Sequence, residues 1–449
     1  MAANPMQSRT GRPLAALPVL TVLCLCACGI TGATPLSAEG RPGDPSEVGI
    51  ISDVMKRVEQ DYVTPVDRAK LVNKALKGML TGLDPHSDYM DRAEFERLKS
   101  DMAGEFAGLG MQITEQNGVP QVLAPIDDTP AAKAGIDPGD RIIRIDGEPT
   151  AGMALDDAVT RLRGAVGSKV TLTLERADQA PFDVTLTRAI IHVRSVKSAL
   201  EENGIGYVRI ASFGDTTQDE LKSAIARLKK QAGGRLSGFI LDLRDDPGGE
   251  LKASVDVAGD FLDGGTIVTT RARASADNQA YTAPNATDLI KSVPMVVLID
   301  GASASASEIV AGALQDHHRA VLMGTRTFGK GSVQSILPLQ SGGALRLTTA
   351  LYYTPNGRSI QGTGLDPDVI VPLPKDQQVA NALVIRESDF FGAFQNPGPT
   401  SSGKSSSPPA STPPPAASEL EHPIKPALIA TPEDAQLKAA IRHLQGNRG

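Results

Sequence analysis

The 449-residue chain carries 45 Lys and Arg against 52 Asp and Glu, a net charge of −7. That balance excludes the basic footprint of a nucleic-acid-binding protein, and a chain with no tryptophan and few other aromatics offers little surface for stacking bases. The length calls for two or three domains, and 41% hydrophobic with 22% charged residues is an ordinary globular composition.

Arg9 and Arg12 precede an apolar run from Leu14 to Ile30. This pattern predicts a signal peptide over residues 1–38, because the run is too short and wrongly flanked for a stable membrane helix. Export across a bacterial inner membrane follows, to the periplasm or cell envelope. Cys24, Cys26 and Cys28 all lie inside this segment, so the mature protein is expected to have neither a disulfide framework nor thiol chemistry. Leu25-Cys26-Ala27-Cys28 resembles a lipoprotein signal, which would make a lipid on Cys28 the one membrane attachment. The alternative is cleavage after Ala33 or Ala38.

Residues 46–99 read as a helical region. Val48, Ile51, Val54, Met55 and Val58 recur at helical spacing, and Leu71 to Leu80 forms a second amphipathic piece. Leu83-Asp84-Pro85-His86-Ser87 ends it, since Pro85 disfavours helix at Asp84. Residues 100–188 turn into short alternating runs separated by Gly- and Asp-rich turns, a β-rich module with two short helices at Pro130 to Gly135 and Leu155 to Arg163. From 189 to about 375 strands and helices alternate, which predicts an α/β core. Its strands are Ile205 to Ile210, Phe239 to Leu243, Met295 to Ile299 and Ala320 to Met323. Its helices are Asp219 to Gln231, Leu251 to Phe261 and Glu308 to Leu314. Residues 376–430 form a linker, Pro/Ser-rich from 396 to 426, and a last helix is expected within 431–446, from Pro432 to Leu444 with Thr431 as its N-cap.

The chemistry sits in two stretches. Gly301-Ala302-Ser303-Ala304-Ser305-Ala306-Ser307-Glu308 offers serines where a buried strand turns into a helix. Helix N-termini carry unpaired amides and partial positive charge, which stabilise a developing oxyanion. The plain alternative is three serines acting as caps and small packing residues. Gly301-Ala302-Ser303-Ala304-Ser305 fails the Gly-x-Ser-x-Gly nucleophile elbow at its last position. Gly324 to Lys330 matches most of a phosphate-binding loop, but Gly331 stands where Ser or Thr must hold Mg²⁺.

His317 and His318 invite a Ser-His-Asp triad with Asp316. A helix from Ser305 to Asp316 would separate the two ends by about 16 Å, against the contact of about 3 Å that proton transfer needs. A surface or capping role suits these histidines better, with Asp316 structural and bonded to Arg319. Lys330, between Gly329 and Gly331, remains as the candidate base, with a solvated loop lysine as the plain alternative. A lysine does this work near neutral pH only when burial strips water from its ammonium. Phe328, Val333 and Ile336 supply apolar surroundings. On the residues alone, Ser303, Ser305 and Ser307 stay equivalent.

Together the motifs resemble the carboxyl-terminal processing proteases, a tail-specific serine peptidase family (S41). The resemblance runs from about Val48 to Val371. It is carried by Gly78 to Ser87, Gly104 to Gly110, Leu241 to Gly249, Ser303 to Glu308, Gly312 to Asp316, Phe328 to Gln334, and Leu347 to Ala350 with Tyr353 to Pro355. It implies a multidomain α/β fold: a serine protease core of the ClpP/crotonase-like type, an inserted β-rich PDZ domain and flanking helices. The family pattern puts the nucleophile at Ser305, the base at Lys330 and an orienting amide at Gln334, which would reach the lysine if Gly331-Ser332-Val333 turns, since four extended residues span about 13 Å. It implies an oxyanion hole from the amides of Ala306 and Gly248, with Gly249 as the near alternative. Ala107-Gly108-Leu109-Gly110-Met111 would be the carboxylate-binding loop of the PDZ domain, gripping a peptide that adds as a strand. Arg163 would couple that domain to the protease site.

The expected activity is an exported serine endopeptidase cutting near protein C-termini, without cofactor or metal. Expected partners are proteins or peptides with exposed apolar C-termini, with an adaptor protein and a homo-oligomer as further candidates and no nucleic acid. The rival reading is a PDZ-based envelope adaptor that has lost catalysis; it predicts a missing nucleophile or base, and both are present.

Overall fold

The structure is a computed structural model, and it describes residues 45–102, 105–116, 118–126, 129–176, 179–192, 194–378, 385–398 and 424–446. The expected signal peptide with Cys28, and most of the expected linker, lie outside the described residues.

Fully apolar strands must be covered on both faces, and this decides the core. Gly238–Asp242 and Met295–Ile299 are buried at every position. They are central in a six-stranded sheet ordered Val196–Glu201, Ile205–Ile210, Gly238–Asp242, Met295–Ile299, Val321–Gly324, Val369–Ile370. The first pair is antiparallel and the rest are parallel. Helices Thr217–Gln231, Leu251–Gly259 and Ala306–Asp316 cover one face through a large apolar cluster including Leu221, Val257, Phe239 and Val310. Helix Ala435–Gly446 covers the other, seating Leu437, Ala440 and Leu444 on Tyr207, Ile240 and Val296.

That last helix begins later than the sequence suggests. Its cap is Asp434, whose Oδ1 accepts the amides of Gln436 (3.1 Å) and Leu437 (3.0 Å), and not Thr431. A carboxylate at the N-terminus also suits the helix dipole.

A second, five-stranded sheet has no counterpart in the sequence reading. Its long strand Ala344–Tyr353 pairs with Ser332–Pro338, Thr266–Ala272 and Asp88–Met90, and Gln279–Thr282 completes it. Ala344–Tyr353 is half-buried along most of its length, and its residues alternate only over Leu345-Arg346-Leu347-Thr348, too short a run to mark a ten-residue strand. Asp88–Met90 comes from the N-terminal region, which is thereby built into the protease core.

The β-rich module is an antiparallel sheet ordered Met111–Gln116, Val119–Pro125, Arg141–Ile145, Lys169–Glu175, Phe182–Thr187. It closes on its own apolar cluster around Val122, Ile142, Leu172 and Leu174. The chain enters it through Glu105–Gly108 and leaves through Ala189–His192, and these two strands pair antiparallel. Adjacent entrance and exit make it an insertion. Helix Pro45–Asp61 forms as its spacing predicts, yet Val48, Ile51 and Val54 are exposed.

Candidate active site

Strand Met295–Ile299 runs through Asp300 to Ala304 into helix Ala306–Asp316, with Ser305 at the junction. The structure separates the three serines. Ser303 Oγ donates to Leu243 O (2.7 Å) and accepts from Asp300 N (3.0 Å). Ser307 Oγ donates to Asp246 O (3.0 Å). Both hydroxyls are spent holding the loop that follows strand Gly238–Asp242. Ser305 Oγ is buried without a hydrogen-bond partner among the described residues. Its backbone is held at φ 54°, ψ −108°, a strained conformation for a residue with a side chain.

Lys330 is 2% exposed and ranks among the largest fully buried side chains. Gly329 allows this. It has φ +98°, and a Cβ there would lie 2.9 Å from Gly364 N. Two groups tie the lysine's backbone to that of Ser305. Glu308 Oε2 accepts from both Ser305 N (2.8 Å) and Lys330 N (2.9 Å). Its Oε1 accepts from Gly329 N (2.8 Å) and the Thr327 hydroxyl. On the other side, the Tyr352 hydroxyl reaches both Ser305 O (3.1 Å) and Lys330 O. Complete burial pushes the Glu308 carboxyl up to about 7, opposed by these four donors.

Sequence reasoning assigned no role to Glu308 or Tyr352. Ser305-x-x-Glu308 has the spacing of a capping box, which was the available signal for the glutamate. Nothing local marked Tyr352.

Gln334 lies on strand Ser332–Pro338 and is 1% exposed. Its Nε2 donates to Ser332 Oγ (3.0 Å) and Thr348 Oγ1 (3.2 Å), while its Oε1 is buried with no partner among the described residues. No hydrogen bond joins it to Lys330 among the described residues.

Ala306 is the first residue of its helix, where amides have no intrahelical acceptor. Gly248 departs from expectation. Its amide is committed to Asp246 Oδ1 (2.8 Å), so in this conformation it is not free to hold an oxyanion. The Asp246 carboxyl is raised well above the usual range by burial. Gly249 forms a bridge with Phe213 at φ +150°, and a Cβ there would fall 1.9 Å from Phe213 O, which only glycine avoids.

Asp316 sits at the far end of the Ser305 helix, as the rise per residue requires. It is bonded to Arg358 and to the amide of Asn356 (2.9 Å), not to Arg319, which pairs with Asp288 (2.8 Å). His317 caps that helix, and its Nε2 meets Thr266 O at 2.7 Å. Among the described residues no group of His, Cys, Asp and Glu could hold a metal ion. No helix there is long and apolar enough to cross a membrane.

Gly108, Leu109, Gly110 and Met111 line a cavity of about 110 Å³ with Ile113, Val159, Leu162 and Arg163. Gly110 (φ +78°) packs on Thr129, whose hydroxyl donates to Gly110 O (2.9 Å). Arg163 lies over the Phe106 ring at 5.1 Å.

The Peptidase family S41 model matches residues 204–371, a PDZ domain model residues 121–176, and that of the activating protease CtpB N-terminal domain residues 35–94. A carboxy-terminal-processing protease of Bartonella bacilliformis is 44% identical over 386 residues, covering 85% of this chain and 88% of its own. The carboxy-terminal processing protease CtpA of Bacillus subtilis is 36% identical over 325 residues, 72% of this chain and 69% of its own. Among solved structures, the photosystem II D1 C-terminal processing protease is 30% identical with a TM-score of 0.44, covering 73% of this chain and 94% of that one. The chain belongs to the carboxy-terminal processing proteases of peptidase family S41: it is a serine protease whose PDZ domain binds peptide C-termini.

Proposed function

We propose that Ser305 is the nucleophile of this protease and Lys330 its general base. The observation that carries this is the inequality of the three serines. Only Ser305 keeps an unspent hydroxyl, and its amide shares one carboxylate oxygen with the amide of Lys330. Ser305 Oγ attacks the scissile carbonyl carbon as its proton passes to Lys330 Nζ. The carbonyl oxygen takes the negative charge at the helix N-terminus, held by the Ala306 amide. A second amide comes from Gly249, or from Gly248 once it leaves Asp246. Collapse breaks the peptide bond, and Lys330 returns the proton to the leaving amine. Water then releases the acyl group by the same steps. Gln334 orients Lys330 through its free Oε1.

Substrates are proteins with apolar C-termini, which suit the apolar lining and modest volume of the cavity beside Gly108 to Met111. The N-terminal charge and apolar pattern supports export to the periplasm or envelope, with Cys28 as a lipid anchor. The exposed stripe on helix Pro45–Asp61 supports a homo-oligomer, and an adaptor protein remains compatible with the PDZ groove.

The test compares Ser305→Ala, Lys330→Ala and His317→Ala on a peptide with an apolar C-terminus. The first two lose cleavage and the third keeps it. Full activity in Lys330→Ala would end the mechanism. Envelope fractionation, with and without Cys28→Ser, checks export and anchoring.

A further inference from the structure

We propose that Thr348, itself held by Asp84, is a positioning residue that sets which way round the Gln334 amide sits and so keeps its oxygen available to Lys330. This rests on the reading in which Gln334 orients the lysine.

The geometry begins in the N-terminal region. Asp84 is 3% exposed and gathers four donors. His86 N (2.8 Å), Ser87 N (2.8 Å) and Thr348 Oγ1 (3.1 Å) reach its Oδ1, and Ser87 Oγ (2.6 Å) reaches Oδ2. The Thr348 hydroxyl donates to Asp84 Oδ1 and the Ser87 hydroxyl to Oδ2, both oxygens acting as acceptors. The hydroxyl hydrogens of Ser87 and Thr348 therefore point at Asp84. Ser87 Oγ in turn accepts from Thr348 N (3.1 Å), which fixes the strand on which Thr348 sits.

With its hydrogen committed, Thr348 Oγ1 offers Gln334 only a lone pair. A side-chain amide has a donor end and an acceptor end of nearly equal shape, and its neighbours decide the orientation. Here the end facing Thr348 must be Nε2, at 3.2 Å, and its second hydrogen goes to Ser332 Oγ at 3.0 Å. Both donors are used, and Oε1 is left buried and partnerless among the described residues. Reversed, the amide would put N–H groups where Oε1 now stands, and on the reading that Gln334 orients Lys330 the amine hydrogen would lose its acceptor. The juxtaposition depends on an irregularity in the sheet. The register shifts between Val333 and Gln334, so Gln334 faces Thr348 and not Thr349. The Leu83 to Ser87 turn, far from the serine and lysine in sequence, thus acts on the base through two side chains.

The experiment uses the full-length enzyme and a peptide substrate. Thr348→Val removes the hydroxyl at nearly constant shape, and kcat falls about tenfold with KM unchanged, while the unfolding temperature falls only by the modest amount expected for one lost hydroxyl. Thr348→Ser recovers most of that loss. In a Gln334→Ala background, Thr348→Val costs nothing further, because the two act as one unit. An equal loss in both backgrounds, or wild-type kcat in Thr348→Val, would overturn the proposal while leaving Gln334 in place. Wild-type kcat in Gln334→Ala would remove the role of Gln334 itself, and the positioning role with it.

Discussion

At the scale of single residues, the site is defined by which polar groups are satisfied. Ser303 and Ser307 donate to carbonyls of the loop after strand Gly238–Asp242, whereas the Ser305 hydroxyl is buried and unpaired. Removing a satisfied buried hydroxyl strands its partner, at about 1–3 kcal/mol; removing an unsatisfied one strands nothing. Ser303→Ala and Ser307→Ala should therefore lower the unfolding free energy by about 1–3 kcal/mol each, while Ser305→Ala leaves it unchanged or raises it. Urea denaturation checks this, and a stability loss in Ser305→Ala matching the other two would make it a packing residue. The serine triplet was visible in the sequence, but its members were equivalent there. What distinguishes them lies about 60 positions upstream, at Leu243 and Asp246. Lys330 was legible through its flanking glycines. Glu308 and Tyr352, which tie its backbone to that of Ser305, were read only after folding.

Helices and strands with strong periodicity were legible, and those whose ends depend on distant partners were not. The buried strands of the core stand out as continuous apolar runs, and the Thr217–Gln231 helix as an amphipathic one. The start of the last helix did not, because its cap answers to a residue on another element. Asp434 makes a two-pronged pair with Arg244, Oδ1 to Nη1 at 2.9 Å and Oδ2 to Nη2 at 2.6 Å, while Asp242 holds the guanidinium from the opposite side. Arg244, Asp242 and Asp434 are all fully buried. Breaking one side of such an ion cluster leaves an under-compensated buried charge and costs about 3–5 kcal/mol. Asp434→Ala should lower the unfolding free energy measured in urea by an amount of that order and loosen the helix from the sheet. A change under about 1 kcal/mol would mean that Asp242 and Gln436 suffice for Arg244. Arg244 lies two residues before Asp246, so the same variant reports on how far the glycine turn relies on the C-terminal helix.

For the molecule as a whole, the buried carboxyls set how stability follows pH. Burial raises Glu250 and Glu308 to about 7, and Asp260 and Asp300 to about 6. In an unfolded chain these groups titrate near about 4. Between about pH 4 and 7 the folded state therefore binds more protons than the unfolded one. Their stabilising contribution is complete below the unfolded values and is lost as pH rises through 6 and 7. Asp242 and Asp140 act in the opposite sense. Their arginine partners, Arg244 and Arg176, outweigh burial and hold them below the usual range, so their contribution is present above about pH 4 and lost in acid. The two sets together place the stability maximum on the acid side of neutrality. The unfolding temperature should rise as pH is lowered from 8 to about 5, then fall below about 4. Calorimetry at constant ionic strength reads it directly, and an unfolding temperature flat between pH 5 and 8 would mean that these carboxyls are not held neutral by burial. Glu308 belongs to this set and also ties Ser305 to Lys330, so part of the stability lost at neutral pH is the cost of keeping an ionised carboxylate between the nucleophile and its base.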